Sequence, residues 1–132
     1  MTGSPPETMP FADELGIKVI DARADEVTMR IEWSPRLCTS GGVMHGGALM
    51  SLADSAGAMC AILNLPPGAS TTTIESKTNF FRAVRDGHVD AVSRPLHIGR
   101  STIVVQTELA DLFGRRVGIA IQTQAVLGPV RK

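Results

Sequence analysis

The segment His45-Gly46-Gly47, followed seven residues later by Asp54, is the place in this 132-residue chain where residue types and spacing could do chemistry. Two glycines stand where a loop enters an apolar, helix-forming run. The first N–H groups of a helix lack intrahelical partners and point past its end, and glycine lets a ligand come close to them. Such donors can polarise a carbonyl and hold the oxyanion formed when it is attacked; losing one typically costs ~3 kcal/mol of transition-state stabilisation. Asp54 is the only acid inside the apolar run. A carboxylate there must be hydrogen-bonded, neutralised or used. The competing explanations are structural: the glycines serve tight helix packing, and Asp54 pairs with a strand backbone or with Arg82. The combination of the two features favours function.

Seven residues put Gly47 and Asp54 on one helix face, ~10 Å apart along the axis. One carbonyl cannot touch both ends of that span. Two copies of the helix packed antiparallel would bring the glycine N–H of one subunit to the aspartate of the other, with Ser51, Gly57 and Ala58 permitting close approach. The site is therefore expected at a dimer interface, twice. His45 could be a base, but a histidine before a helix more often fixes the loop by hydrogen bonding. Cys38 and Cys60 stand in no metal, redox or disulfide spacing, and neither has an electropositive setting that would make it a nucleophile. A second group, Asn79-Phe80-Phe81-Arg82 with Arg94 and His97-Ile98-Gly99-Arg100-Ser101, offers arginines for phosphates and a glycine for backbone contacts, but taken on these residues alone the favoured reading is solvated strand ends and a turn.

The elements that must position these groups follow from periodicity. Residues 1–10 read as a flexible arm and residues 11–132 as a single domain. A helical turn is expected over 11–15, a strand over 17–22 and a turn over 23–25. Over 26–33, Val27, Met29, Ile31 and Trp33 alternate with Glu26, Thr28, Arg30 and Glu32, the period of a half-buried strand. A loop over 34–44 leads into a helix from His45 to about Leu63, apolar on nearly every side and hence buried. Pro66-Pro67-Gly68 ends that segment, and strands are expected over 71–84, 88–97, 101–110 and 116–127. This is an α+β plan, and one sheet can cover only one side of the helix, which calls for a partner subunit.

Composition narrows the function. Thirteen basic and thirteen acidic residues give no net charge, which argues against nucleic acid as the main partner. The apolar stretch 48–65 is interrupted by Ser51, Asp54, Ser55 and Asn64 and is too polar for a membrane span, and no signal peptide is visible, so a cytoplasmic protein is expected.

The run Gly42-Val43-Met44-His45-Gly46-Gly47-Ala48 through Leu52-Ala53-Asp54-Ser55 resembles the signature of PaaI-type hotdog thioesterases and, within these, is similar to the 4-hydroxybenzoyl-CoA and dihydroxynaphthoyl-CoA hydrolase branch. The likeness continues through Asn79-Phe80-Phe81-Arg82, residues 95–99 and the Gly114-Arg115 turn, over about residues 12–127. It implies a hotdog fold, an antiparallel sheet wrapped around one long central helix and paired into dimers and tetramers (dimers of dimers). It implies hydrolysis of an acyl-CoA or aryl-CoA to free acid and CoA, with no cofactor or metal beyond the CoA of the substrate. Gly46 would supply the oxyanion N–H, Asp54 of the facing subunit the essential carboxylate, and His45 support. Phe80, Phe81, Arg82 and Ala83, with His97, Ile98, Gly99, Arg100, Ser101 and Thr102, would hold the CoA arm; Gly47 would lie beside Gly46 and Thr73 on the acyl side. Met50, Phe80 and Phe81 point to an apolar or aromatic acyl group. The chain departs from the pattern at Thr39, where the family often has Gln or Asn, and at Ala58, where it often has Ser or Thr. The named branch commonly has Glu where this chain has Asp54. The alternatives are a hotdog enoyl-CoA hydratase or dehydratase with His45 as base, and a non-catalytic acyl-CoA-binding module.

Overall fold

The alternation over residues 26–33 is the clearest structural signal, and in the computed structural model, which describes residues 9–128, it forms a strand whose Val27, Met29 and Ile31 are at most 2% exposed. In chain order the strands are β1 (Lys18–Arg23), β2 (Glu26–Glu32), β3 (Ser70–Phe80), β4 (His88–Ile98), β5 (Thr102–Asp111) and β6 (Arg116–Leu127). A short helix α1 (Pro10–Glu14) precedes them, and α2 (Gly46–Ile62) lies between β2 and β3. The arm expected over residues 1–10 falls, for 1–8, outside the described residues; Pro10 opens α1.

The six strands form one antiparallel sheet in the order β1-β2-β4-β5-β6-β3. Its inner face carries Val27, Met29, Ile31, Val89, Ala91, Ile103, Val105, Leu109, Val117 and Ala120, packed against Leu49, Leu52, Ala53, Ala56, Met59 and Cys60 of α2. The alanines let the helix sit close to the sheet, and most of its remaining residues are good helix formers. The stripe through Met50, Asp54 and half-buried Ser51 and Ala58 is left uncovered by the chain's own sheet. Ser93 and Thr107 place two hydroxyls in the core and satisfy each other at 2.6 Å.

β3 is an edge strand of eleven residues whose outer backbone edge has no partner strand among the described residues. It ends at Phe80, four residues before the expected end, because its neighbour β6 begins at Arg116: after the Phe81 N–H donates to the Val117 carbonyl no ladder remains. β3 also carries a bulge between Thr73 and Glu75. The extra residue, Ile74, points outward at 62% exposure and resets the alternation, so Thr73 and Ser76 both lie on the inner face, opposite Gln124 and Gln122. Among the described residues no helix is long and apolar enough to cross a membrane.

Candidate active site

The loop into α2 is built by backbone bonds. Thr39 N–H donates to the Val43 carbonyl, Met44 N–H to Val84 and His45 N–H to Leu37. His45 is the N-cap of α2, and its Nδ1 accepts the Gly47 N–H at 2.8 Å. That bond uses one of the orphan donors of the first turn, and with Nδ1 as acceptor the neutral ring carries its proton on Nε2. The Ala48 and Leu49 N–H groups reach the His45 carbonyl. The Gly46 N–H has no partner among the described residues and lies at the positive end of a 17-residue helix.

Two cavities flank this helix start. One, of about 430 Å³, is lined by Thr39, Gly46, Leu49, Phe80, Phe81, Arg82 and Ala83. The Phe80 ring stands against Gly46, where an added Cβ would meet it at 3.4 Å. The other, of about 390 Å³, is lined by Phe11, Leu15, Leu37, Cys38, His45, Gly47, Ala48 and Ser51. The structure therefore brings Thr39, His45, Gly46, Gly47 and residues 80–83 together.

Asp54 lies two turns further along α2, ~12 Å from Gly46 along the axis. It makes no ion pair among the described residues, so the Arg82 partner considered for it is not found: exposed Arg82 belongs to the cavity at the other end of this span. Its carboxylate accepts from Gln122 Nε2 at 3.4 Å, and the Thr73 hydroxyl stands near it. Although Asp54 is exposed in the single chain, the protein around its carboxylate raises its pKa above the ordinary aspartate value, and the Gln122 and Thr73 donors pull the other way without cancelling that loss of water. Thr73, read as lining the acyl side, sits beside Asp54; Ala58 follows one turn after it.

The segment His97 to Thr102 is not part of either group within one chain. Phe80 pairs with Gly118, whereas Thr102 pairs with Ala125, so the turn carrying Ile98, Gly99, Arg100 and Ser101 lies seven β6 residues away, ~23 Å. Cys60 is no nucleophile: burial, with the nearby Asp25 charge, pushes its thiol up to about 11. Two residues that the motif reading passed over stand out by their burial at inward strand positions. Gln122 and Gln124, each 1% exposed, share the inner face of β6 with Val117 and Ala120, a polar pair where apolar residues are the rule.

One long helix cradled by a six-stranded antiparallel sheet, with a free N–H at the helix start, is the architecture of hotdog-fold thioester hydrolases. A crystal structure of a mutant thioesterase PA1618 from Pseudomonas aeruginosa superimposes with a TM-score of 0.85 at 32% identity, covering 89% of this chain and 85% of that one. The proofreading thioesterase EntH of Cronobacter turicensis is 32% identical over 120 residues, 89% of this chain and 86% of its own. The Vibrio cholerae protein VC_A0580 is 40% identical over 85 residues, 64% of this chain, and the match spans 57% of that protein's length. Residues 41–117 match the thioesterase superfamily, and the chain belongs to that family.

Proposed function

We propose that the chain hydrolyses acyl-CoA thioesters at sites shared between two subunits. The observation that carries this reading is the separation just described: a free Gly46 N–H at one end of an uncovered helix stripe and a hydrogen-bonded Asp54 at the other. The midpoint of that span is Met50, 44% exposed. A two-fold axis near Met50 would set each Asp54 against the partner's Gly46, and the open β3 edges would pair to continue the sheet. The thioester carbonyl then accepts from Gly46 N–H. Asp54 either activates water, which forms the new C–O bond as the C–S bond breaks, or attacks the carbonyl itself to give a mixed anhydride that water then cleaves to free acid and the restored carboxylate; in both routes a proton from water ends on the departing CoA thiol. Phe80 to Ala83 grip the pantetheine arm, and the cavity lined by Phe11, Leu15, Leu37 and Ala48 suits an apolar or aromatic acyl group. The Nδ1 of His45 is committed to Gly47, which weakens the case for a hydratase that uses it as base.

The test is thiol release from a panel of aryl-CoA and fatty acyl-CoA esters, with Asp54→Asn as control and the oligomeric state measured alongside. The expected result is turnover by a dimer or larger species that falls at least ~100-fold in the variant. A monomeric active enzyme, or a fully active Asp54→Asn, would defeat the reading.

A further inference from the structure

Asp54 is approached by two buried amides from β6, the strand beside the open edge strand. Gln122 Nε2 points at Asp54 Oδ1 at 3.4 Å. Its Oε1 is buried without a hydrogen-bond partner, against Gly57 of α2, where an added Cβ would stand 2.0 Å from it. The amide thus fits only because residue 57 has no side chain. The reverse orientation would set a carbonyl oxygen against the carboxylate. The second amide acts through an intermediary. Gln124 Nε2 donates to Thr73 Oγ1 at 2.7 Å, and Gln124 Oε1 lies 3.1 Å from the Thr71 hydroxyl, whose proton it shares with the Ala125 carbonyl at 2.7 Å. With an oxygen lone pair engaged by Gln124, the Thr73 hydroxyl keeps its proton available and stands near enough to Asp54 to favour the ionised carboxylate. The β3 bulge keeps this Thr73 contact and the Ser76–Gln122 pairing on one face.

We propose that Gln122 and Gln124 are positioning residues for the reaction, a two-armed clamp that holds the Asp54 carboxylate in a single orientation. This rests on the reading of Asp54 as the essential carboxylate. Among the described residues, Asp54 meets no other titratable or charged side chain. Cys60 of α2 points at the Ala24 carbonyl, and His45 caps the far end. On β3, Glu75 and Lys77 pair with Thr123 and Ile121 on the opposite face. On β6 the only charged residue is Arg116, at its start. The clamp also accounts for two glutamines buried on a strand whose other inward residues, Val117 and Ala120, are apolar.

The test uses the full chain with Gln122→Met and Gln124→Met, each of similar size but without the donor; Gln122→Asn and Gln124→Asn, one methylene too short, serve if a Met variant does not fold. Carboxyl-carbon NMR of isotope-labelled aspartate, with Asp54 assigned from the Asp54→Asn spectrum, follows its titration; kcat and KM are measured on benzoyl-CoA and octanoyl-CoA. Each arm donates to the ionised form, so its loss is expected to move the Asp54 titration to higher pH. The expected loss in kcat is about tenfold, with KM little changed. A titration unmoved in a folded variant removes that arm. A titration that moves while kcat stays at the wild-type value refutes the catalytic part. A fully active Asp54→Asn is a different failure: it defeats the reading of Asp54, while the NMR result still decides whether the clamp exists.

Discussion

Gly118 of β6 is buried, lies between Phe80 of β3 and Leu109 of β5, and is the position where replacement by alanine should act against its usual sign. In a strand interior alanine is ordinarily better than glycine by ~0.5–1 kcal/mol, because glycine loses more chain entropy on folding. Here a Cβ would stand 2.6 Å from the Asn79 carbonyl oxygen and 3.5 Å from Phe80 Cδ1. The first contact is to backbone, so relief requires β3 to move off by nearly ~1 Å, since carbon contacts are favourable only from ~3.5 Å. That displacement strains the adjoining Phe81 N–H to Val117 carbonyl bond of 2.7 Å. Overpacking of this kind costs ~1–3 kcal/mol. The net expectation for Gly118→Ala is a loss of ~0.5–2 kcal/mol, or ~2–8 °C in Tm for a chain of this size. Thermal unfolding followed by near-UV circular dichroism, at matched protein concentration, measures it. The KM for a CoA ester should rise as well, because Phe80 stands against Gly46. An unchanged or raised Tm would show that the β3–β6 spacing is slack and would refute the steric argument.

Four further outcomes are expected. Hydrolysis should rise with pH through a limb above the ordinary aspartate value, because Asp54 must be ionised and its pKa is raised by loss of water; a limb at or below that value would contradict this. The same shift means that the charged carboxylate costs the native state stability above the unfolded-state pKa, a cost that vanishes once both states are protonated. Asp54→Asn should therefore raise Tm near neutrality, with the gain shrinking as pH falls through the aspartate range. Ser93→Ala should destabilise by ~1–3 kcal/mol in urea unfolding by stranding the Thr107 hydroxyl, whereas Ser93→Ala with Thr107→Val should restore most of it. Cys60, with its thiol pushed up to about 11, should resist a disulfide reagent at neutral pH until denaturant is added, while half-buried Cys38 reacts first.

The helix and the strand pattern were legible because their signals are local. Val27, Met29 and Ile31 alternate, and the run from Gly46 to Ile62 is rich in helix formers. The end of β3 was not legible, since it is set by where another strand begins, 36 residues later in the chain. The inward placement of both Thr73 and Ser76 depends on one extra residue in the ladder, which no alternation rule supplies. Of the site, Gly46 shares one cavity with residues 80–83 and His45 lines the other, while the distance between 80–83 and 97–102 within one chain was not legible in the sequence. The Arg82 partner for Asp54 failed because charge complementarity in a sequence says nothing of distance. The amides of Gln122 and Gln124 carried a readable signal in their strand position, but amide side chains are frequent on strands and only burial marks these two out.

The unmated margin of β3 has a consequence for handling the protein. Alternate residues along this eleven-residue strand turn their N–H and C=O groups away from β6 in a row, a template that accepts any extended chain with the right spacing. Mates of the same sequence would sheath that template, and dilution or mild acid that strips them apart would bare it. Fibrous precipitate should then grow from the stripped protein, seeded at this margin, and a lysine or proline at outward-pointing Ile74 should suppress it.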